Sequence, residues 1–278
     1  MLSYRHAFHA GNHADVLKHL ILVQVLDYFN RKDAPYWYVD THAGAGEYPL
    51  DSALATKLNE AQAGVARLAG GGPWPEAIAR YLEVAHCTGS LAPVYPGSPE
   101  FAHRMLRRGD AMRLFELHPT DSQRLQAHFA AAGKQVQVRV SDGFAGLKAL
   151  LPPPTRRAVV LIDPPYELKS DYDALVRSLE AGLRRFATGC YLVWYPVLAR
   201  SESQALPKRL RALVPASASW LSARLHVGEA RADGGGMTGS GMFVINPPYI
   251  LHQRLADCLP LLARHLGAGR FELDAHQS

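Results

Sequence analysis

Ala158-Val-Val-Leu-Ile-Asp163-Pro-Pro-Tyr166 is an apolar run that stops at an acid, two prolines and an aromatic ring. Residues 158–162 read as a buried strand, which the prolines, lacking a backbone N–H, cannot prolong. The ending suits one kind of chemistry. The exocyclic amine of adenine or cytosine is a poor nucleophile because its lone pair is delocalised into the ring. Two acceptors on its N–H groups would pull it toward a tetrahedral shape and free that pair. Asp163 offers a carboxylate. Pro164 and Pro165 leave only carbonyls on a backbone stiffened at φ. Tyr166 offers a flat face for an unstacked base.

Outward from this stretch, strand-like and helical segments alternate. A helix is expected from Asn12, a suitable N-cap, to about Arg31, with Leu17, Ile21, Val25 and Phe29 at four-residue spacing. Tyr36–Asp40, Ala111–Leu117, Val136–Val140 and Cys190–Tyr195 read as strands, with further strands near Trp220–Val227 and Met242–Ile245. Helices are expected over 121–132, 144–151, 171–186, 203–213 and 255–266, and Ser98 as the cap of one beginning at Pro99. Gly234–Gly241 reads as a mobile glycine-rich loop. Strands alternating with helices predict an α/β fold, a mainly parallel sheet covered by helices on both faces.

In such a sheet, ligands lie outside the carboxyl ends of the strands, and four strand ends carry suggestive residues. Asp40-Thr-His42-Ala-Gly44-Ala-Gly46 offers glycines that let backbone approach a ligand, although the third glycine of the dinucleotide fingerprint is missing. Glu116 could accept from both ribose hydroxyls, and Asp142, in Ser141-Asp142-Gly143, from an adenine amine. Asp163 ends the fourth strand. In dinucleotide folds the ribose acid follows the glycines by about 20 residues, yet Glu116 lies far beyond that. Helical spacing at Leu54, Leu58, Ala61, Val65 and Leu68, and a second helix from Pro75 to about His86, explain the excess. Residues 49–95 are expected to be an inserted helical subdomain, leaving 1–48 and 96–278 as the main domain.

Composition excludes some classes. With 48% hydrophobic and 20% charged residues and no apolar run of membrane-spanning length, a membrane protein is not expected. Residues 1–13 carry Arg5 and several histidines without an apolar core, so no signal peptide is expected. Three scattered cysteines fit reduced thiols, hence a cytoplasmic location. The formal charge of +5 is modest, but basic residues cluster at Arg104/Arg107/Arg108, Arg156/Arg157, Arg184/Arg185 and Lys208/Arg209/Arg211. Such clusters usually mark solvated helix ends; beside a base-binding motif they favour nucleic acid.

Asp40-x-x-x-Gly44-x-Gly46, Glu116, Asp142 and Asp163-Pro-Pro-Tyr166 together resemble the class I, S-adenosyl-L-methionine-dependent amino-methyltransferases, whose fold is Rossmann-like. The N-terminal stretch from Met1-Leu-Ser-Tyr4-Arg to Asp15-Val-Leu-Lys18-His19, with Tyr95-Pro-Gly-Ser98-Pro99 and Glu116-Leu-His-Pro119, resembles the RlmJ family in particular. That resemblance covers Met1 to about Pro248 and implies N6 methylation of one adenine, position 2030, in 23S rRNA. It places Lys18, His19, His42, Gly44, Ser98, Glu116, Asp142, Gly143 and Asp163 at the cofactor. It makes Asp163 catalytic, with Pro164 and Tyr166 beside the base, and lets Tyr4 touch the RNA or close the pocket. The expected protein acts as a monomer and needs no metal.

Other readings compete. Asn246-Pro-Pro-Tyr249 copies the opening motif, but follows the last of the strands read above and is taken as a structural strand exit. His9 and His13 at i,i+4 invite a metal, yet only Asp15 is near to complete a ligand set. Trp194-Tyr195-Pro196 could be a second base platform; an aromatic strand end is more often core, the reading taken here. A DNA amino-methyltransferase would share every strand-end residue but lacks a recognition domain here. A non-catalytic RNA-binding protein is disfavoured by the intact Asp163–Tyr166, and a nicotinamide dehydrogenase by the missing glycine.

Overall fold

The computed structural model describes residues 6–228, 236–267 and 269–277. After a short 3-10 turn at His6–Phe8 come α1 (His13–Asn30), β1 (Trp37–Asp40) and β2 (Glu47–Pro49). Four short helices follow, α2 (Ala53–Leu58), α3 (Glu60–Ala63), α4 (Ala66–Ala69) and α5 (Glu76–Ala85), then β3 (Val94–Pro96), antiparallel to β2. The chain continues through α6 (Ser98–Met105), β4 (Ala111–Phe115), α7 (Pro119–His128), β5 (Val136–Arg139), α8 (Gly143–Leu150) and β6 (Ala158–Ile162). It ends with α9 (Lys169–Arg185), β7 (Cys190–Val197), α10 (Ser201–Leu213), β8 (Trp220–His226), β9 (Gly239–Ile245), α11 (Leu251–Leu266) and β10 (Arg270–His276).

Among the described residues, eight strands form one sheet in the order β5-β4-β1-β6-β7-β9-β8-β10. The first five are mutually parallel; β9 is antiparallel to β7 and β8, and β10 to β8. Successive side chains point to opposite faces of a strand, so Tyr38 and Leu161 join the core under α1, α5, α6 and α11. Val39, Val160 and Ile162 join the one under α8, α9 and α10. Each such buried aliphatic side chain contributes about 1.5–3 kcal/mol. The expected mainly parallel sheet with helices on both faces is what the chain forms.

Helix α1 is buried on all sides from Ala14 to Leu26 because its residues are apolar around most of the helix. Asn12 caps it, accepting from the N–H groups of Ala14 and Asp15 at 2.9 and 3.0 Å. Segment 54–68 does not form the single helix its spacing predicts. Asn59 takes a left-handed φ of 51°, and the chain breaks again at Gly64. A Cβ on Gly64 would lie 2.0 Å from the Gly11 carbonyl oxygen, and Val65 N–H donates to that oxygen at 2.8 Å. This close approach ties the helical segment to the start of α1. Val65, Leu68, Ile78 and Tyr81 share one apolar cluster with α1.

Two expectations near the C-terminus are corrected. Gly239 and Gly241 belong to β9, and the Tyr195 ring lies where a Cβ of Gly241 would be, 2.2 Å away. Residues 234 and 235 lie outside the described residues. Strand β10 was not anticipated and adds an exposed edge to the sheet. Among the described residues, no helix is long and apolar enough to cross a membrane.

Candidate functional site

From β1 the chain moves outward to β4 and β5, then crosses back to β6 on the other side of β1. Ligands in open α/β sheets sit at such a reversal. There, at the carboxyl ends of the strands, lies a cavity of about 560 Å³, within the ~300–1,000 Å³ range of small-molecule sites. All the site residues predicted from the sequence border it except Tyr4, which lies outside the described residues.

The β1 and β4 ends interlock. Gly44, at φ 63°, turns its N–H toward Glu116 Oε2 at 2.8 Å, while Glu116 Oε1 accepts from His118 N–H at 2.6 Å. Burial raises the Glu116 carboxyl above its ordinary range, against these two donors. The fixed carboxylate keeps lone pairs for a diol. Asp142 caps α8, accepting from Phe144 N–H at 2.9 Å, and is exposed along the cavity. Gly143 packs so closely on β1 that a Cβ would meet the Thr41 carbonyl oxygen at 1.9 Å.

The three predicted polar neighbours have separate duties. His42 lies edge-on to Phe144, and burial lowers its pKa to about 3, so it is neutral near pH 7. His19 is wholly buried, with Nδ1 2.9 Å from the Tyr95 hydroxyl, and burial likewise holds it neutral. Ser98 does not cap α6 with its side chain: its hydroxyl donates instead to Asp40 Oδ2 at 2.7 Å. The Tyr38 hydroxyl donates to the same oxygen at 2.7 Å.

Burial raises the Asp40 carboxyl from 3.8 to about 6, while hydrogen bonds from Ser98, Tyr38 and the His42 N–H act the other way. A carboxyl raised on folding favours the protonated native state. Its contribution, about 3 kcal/mol, is complete below about pH 4 and lost as pH rises through about 6. Asp40→Asn is therefore expected to flatten the decline in melting temperature over that window. Parallel thermal melts of variant and wild type, with the same slope against pH, would contradict this.

The β6 end meets α1. Lys18 Nζ lies 2.7 Å from Asp163 Oδ2 and 3.0 Å from Asp15 Oδ1, and His6 Nε2 lies 2.9 Å from Asp15 Oδ2. Burial opposes ionisation of Asp15, but His6 and Lys18 beside it outweigh that cost and hold the carboxyl well below its ordinary range. An acid–lysine–acid chain thus reaches the strand end where methyl-transfer chemistry was expected. Sequence reasoning missed Asp15 as its first member. The signal was available: Asp15, Lys18 and His19 share one face of a helix otherwise almost wholly apolar, and charges are rarely buried there unless paired.

Tyr166, at φ 53°, lines the cavity but is only 3% exposed, and its hydroxyl donates to the Trp194 carbonyl at 2.5 Å. Trp194 itself is partly exposed on the same cavity. Asn246 lies elsewhere: β9 runs antiparallel to β7, so its carboxyl end falls beside the amino end of β7, at the opposite end of the strands from the cavity. There the Asn246 amide donates to the carbonyls of Ala187 and Gly189, both at 2.8 Å, as a structural strand exit would.

The cavity's chemistry suits a cationic nucleoside. Six carboxylates, of Asp15, Glu116, Asp121, Asp142, Asp163 and Asp171, border it against Arg177 and Lys18, the lysine itself engaged by two of them. Such a wall repels a dinucleotide's pyrophosphate and accepts a sulfonium with an amino group. The residues present therefore fit S-adenosylmethionine: Glu116 could take the ribose and Asp142 the adenine, with Gly44 and Gly143 letting backbone come close.

Residues 33–274 match the family described as Ribosomal RNA large subunit methyltransferase D, RlmJ. The chain is 44% identical to Ribosomal RNA large subunit methyltransferase J of Haemophilus influenzae over 96% of its length and 94% of the relative's. It is 44% identical to the Escherichia coli protein of the same name, over 94% and 93% respectively. A crystal structure of a Legionella pneumophila protein superposes with a TM-score of 0.84 at 33% identity, covering 96% of this chain and 98% of that one.

Proposed function

Because the chain belongs to the RlmJ family of ribosomal RNA large subunit methyltransferases, we propose that it methylates the exocyclic N6 of one adenine, position 2030, in 23S rRNA. The observation that carries this reading is the placement of Asp163-Pro164-Pro165-Tyr166 in the same cavity as Glu116 and Asp142. One face of the site then suits a nucleoside cofactor and the other an extruded base.

S-adenosylmethionine supplies an electrophilic methyl group. Glu116 and Asp142 hold its nucleoside end, Gly143 keeps the β5 loop tight against β1, and His19, His42 and Ser98 border it as neutral groups. Asp163 and the Pro164 carbonyl accept the two N–H groups of the amine, drawing its lone pair out of the ring. Lys18 fixes the Asp163 carboxylate, so the amine meets a preorganised acceptor. As the new N–C bond forms and the sulfur–methyl bond breaks, releasing neutral S-adenosylhomocysteine, the nitrogen would become cationic and Asp163 would be placed to receive its surplus proton. Orientation supplies much of the acceleration. Segment 49–95 is read as an insertion that braces the start of α1, and Tyr4 as a contact to RNA.

The alternative, a DNA adenine or cytosine amino-methyltransferase, uses the same strand-end residues. Labelled methyl transfer separates the two: purified protein is expected to label unmodified large-subunit rRNA and leave DNA unlabelled. Preferential labelling of DNA would replace the proposal by its alternative.

A further inference from the structure

We propose that Trp194 is the second aromatic wall of the target-base site, receiving the edge or face of a purine extruded from RNA. This rests on the adenine-methylating reading above. In the aromatic end of β7, the two neighbouring rings behave differently. Tyr195 is 1% exposed and accepts from Arg224, as a core residue does. Trp194 is partly exposed and borders the same cavity as Asp163 and Pro164.

Its surroundings place it at the reacting end. The Lys18 ammonium that lies 2.7 Å from Asp163 is also 5.8 Å from the centre of the indole. The indole N–H has no hydrogen-bond partner among the described residues, so packing sets the ring's orientation. Tyr166 is almost covered and tethered by its hydroxyl to the Trp194 backbone, leaving little of its own face for a base. The two rings lie 5.8 Å apart, tilted at 58°. A purine stacked on Trp194 would therefore lie tilted, not face to face, against the Tyr166 ring, close to the offset and edge-to-face geometries that aromatic quadrupoles favour. Pro164 and Pro196 add apolar surface and no N–H.

The test uses the full-length protein and a large-subunit rRNA fragment carrying 2-aminopurine at the mapped target adenine. Wild type and Trp194→Phe are expected to quench the probe by stacking. Trp194→Leu is expected to lose that quenching and to bind the fragment about 10- to 100-fold more weakly, the range of a lost base–aromatic stack. Its cofactor affinity by calorimetry and its melting temperature should stay close to wild type. If the leucine variant melts far below wild type, Trp194→Met takes its place in the same comparison. Normal quenching and binding in the non-aromatic variant overturns the proposal alone. Absence of quenching in wild type overturns it together with the extruded-base reading.

Discussion

Asp163→Asn is expected to lower methyl transfer by about 100- to 10,000-fold, the span of lost acid–base and acceptor catalysis, with cofactor affinity nearly unchanged. The reason is a count of acceptors. Asp163 Oδ2 already faces the Lys18 ammonium at 2.7 Å, and the target amine requires a second acceptor from the same group. An asparagine brings one oxygen and one NH2. Turned one way, the NH2 opposes the lysine; turned the other, it opposes the amine. Asp163→Ala removes both acceptors together with the Lys18 contact, so its loss should be at least as large. Single-turnover transfer of a labelled methyl group measures both variants. Near-normal turnover of the asparagine variant would dismiss a proton-accepting role for Asp163 and the acceptor argument with it.

Gly143→Ala is expected to be the most damaging of the small substitutions. Its Cβ would fall 1.9 Å from the Thr41 carbonyl oxygen and 2.7 Å from two further backbone atoms. The backbone just after β1 cannot yield as a flexible side chain can, so the loop after β5 must move and carry Asp142 with it. Overpacking typically costs about 1–3 kcal/mol, which lowers the melting temperature of a chain this size by roughly 2–5 °C. Cofactor affinity should fall more than tenfold by calorimetry, because both strand ends bordering its adenine shift. Gly70→Ala provides the control: its φ is −63° and nothing lies within 4 Å of the added Cβ. Equal melting temperatures and equal affinities for the two variants would show that the contact is tolerated.

The sheet and its site were largely legible because parallel strands announce themselves. Residues 158–162 are uniformly apolar, both faces of the sheet being covered, and the acids at 116, 142 and 163 stand where that pattern stops. Chain order then separated Asp163 from Asn246, and the antiparallel direction of β9 supplies the geometric reason. What stayed hidden depends on distance or on small apolar differences. The Lys18–Asp163 contact joins residues 145 positions apart, and no periodicity encodes such a pairing. Ser98 looked like a helix cap because serine often is one, yet the raised, buried Asp40 carboxyl claims its hydroxyl. The 54–68 pattern kept helical spacing although Asn59 and Gly64 bend the chain out of it. Strand β10 was legible in principle, with Phe271, Leu273 and Ala275 alternating with polar residues, but no element was assigned beyond the helix at 255–266.

The same contrast explains the status of Trp194. Composition and spacing could not distinguish a core aromatic from a wall of the site, since both end a strand. Only the neighbouring cation, the cavity and the tether from Tyr166 tell them apart.

The central claim is tested most directly by mass-spectrometric mapping of unmodified 23S rRNA after incubation with purified protein and S-adenosylmethionine. One new methyl group on the N6 of a single adenine, at position 2030, and none with Asp163→Ala, is the predicted result. A methyl group on a ribose, on a cytosine or at a ring nitrogen, or an undiminished signal from the Asp163 variant, would contradict the account.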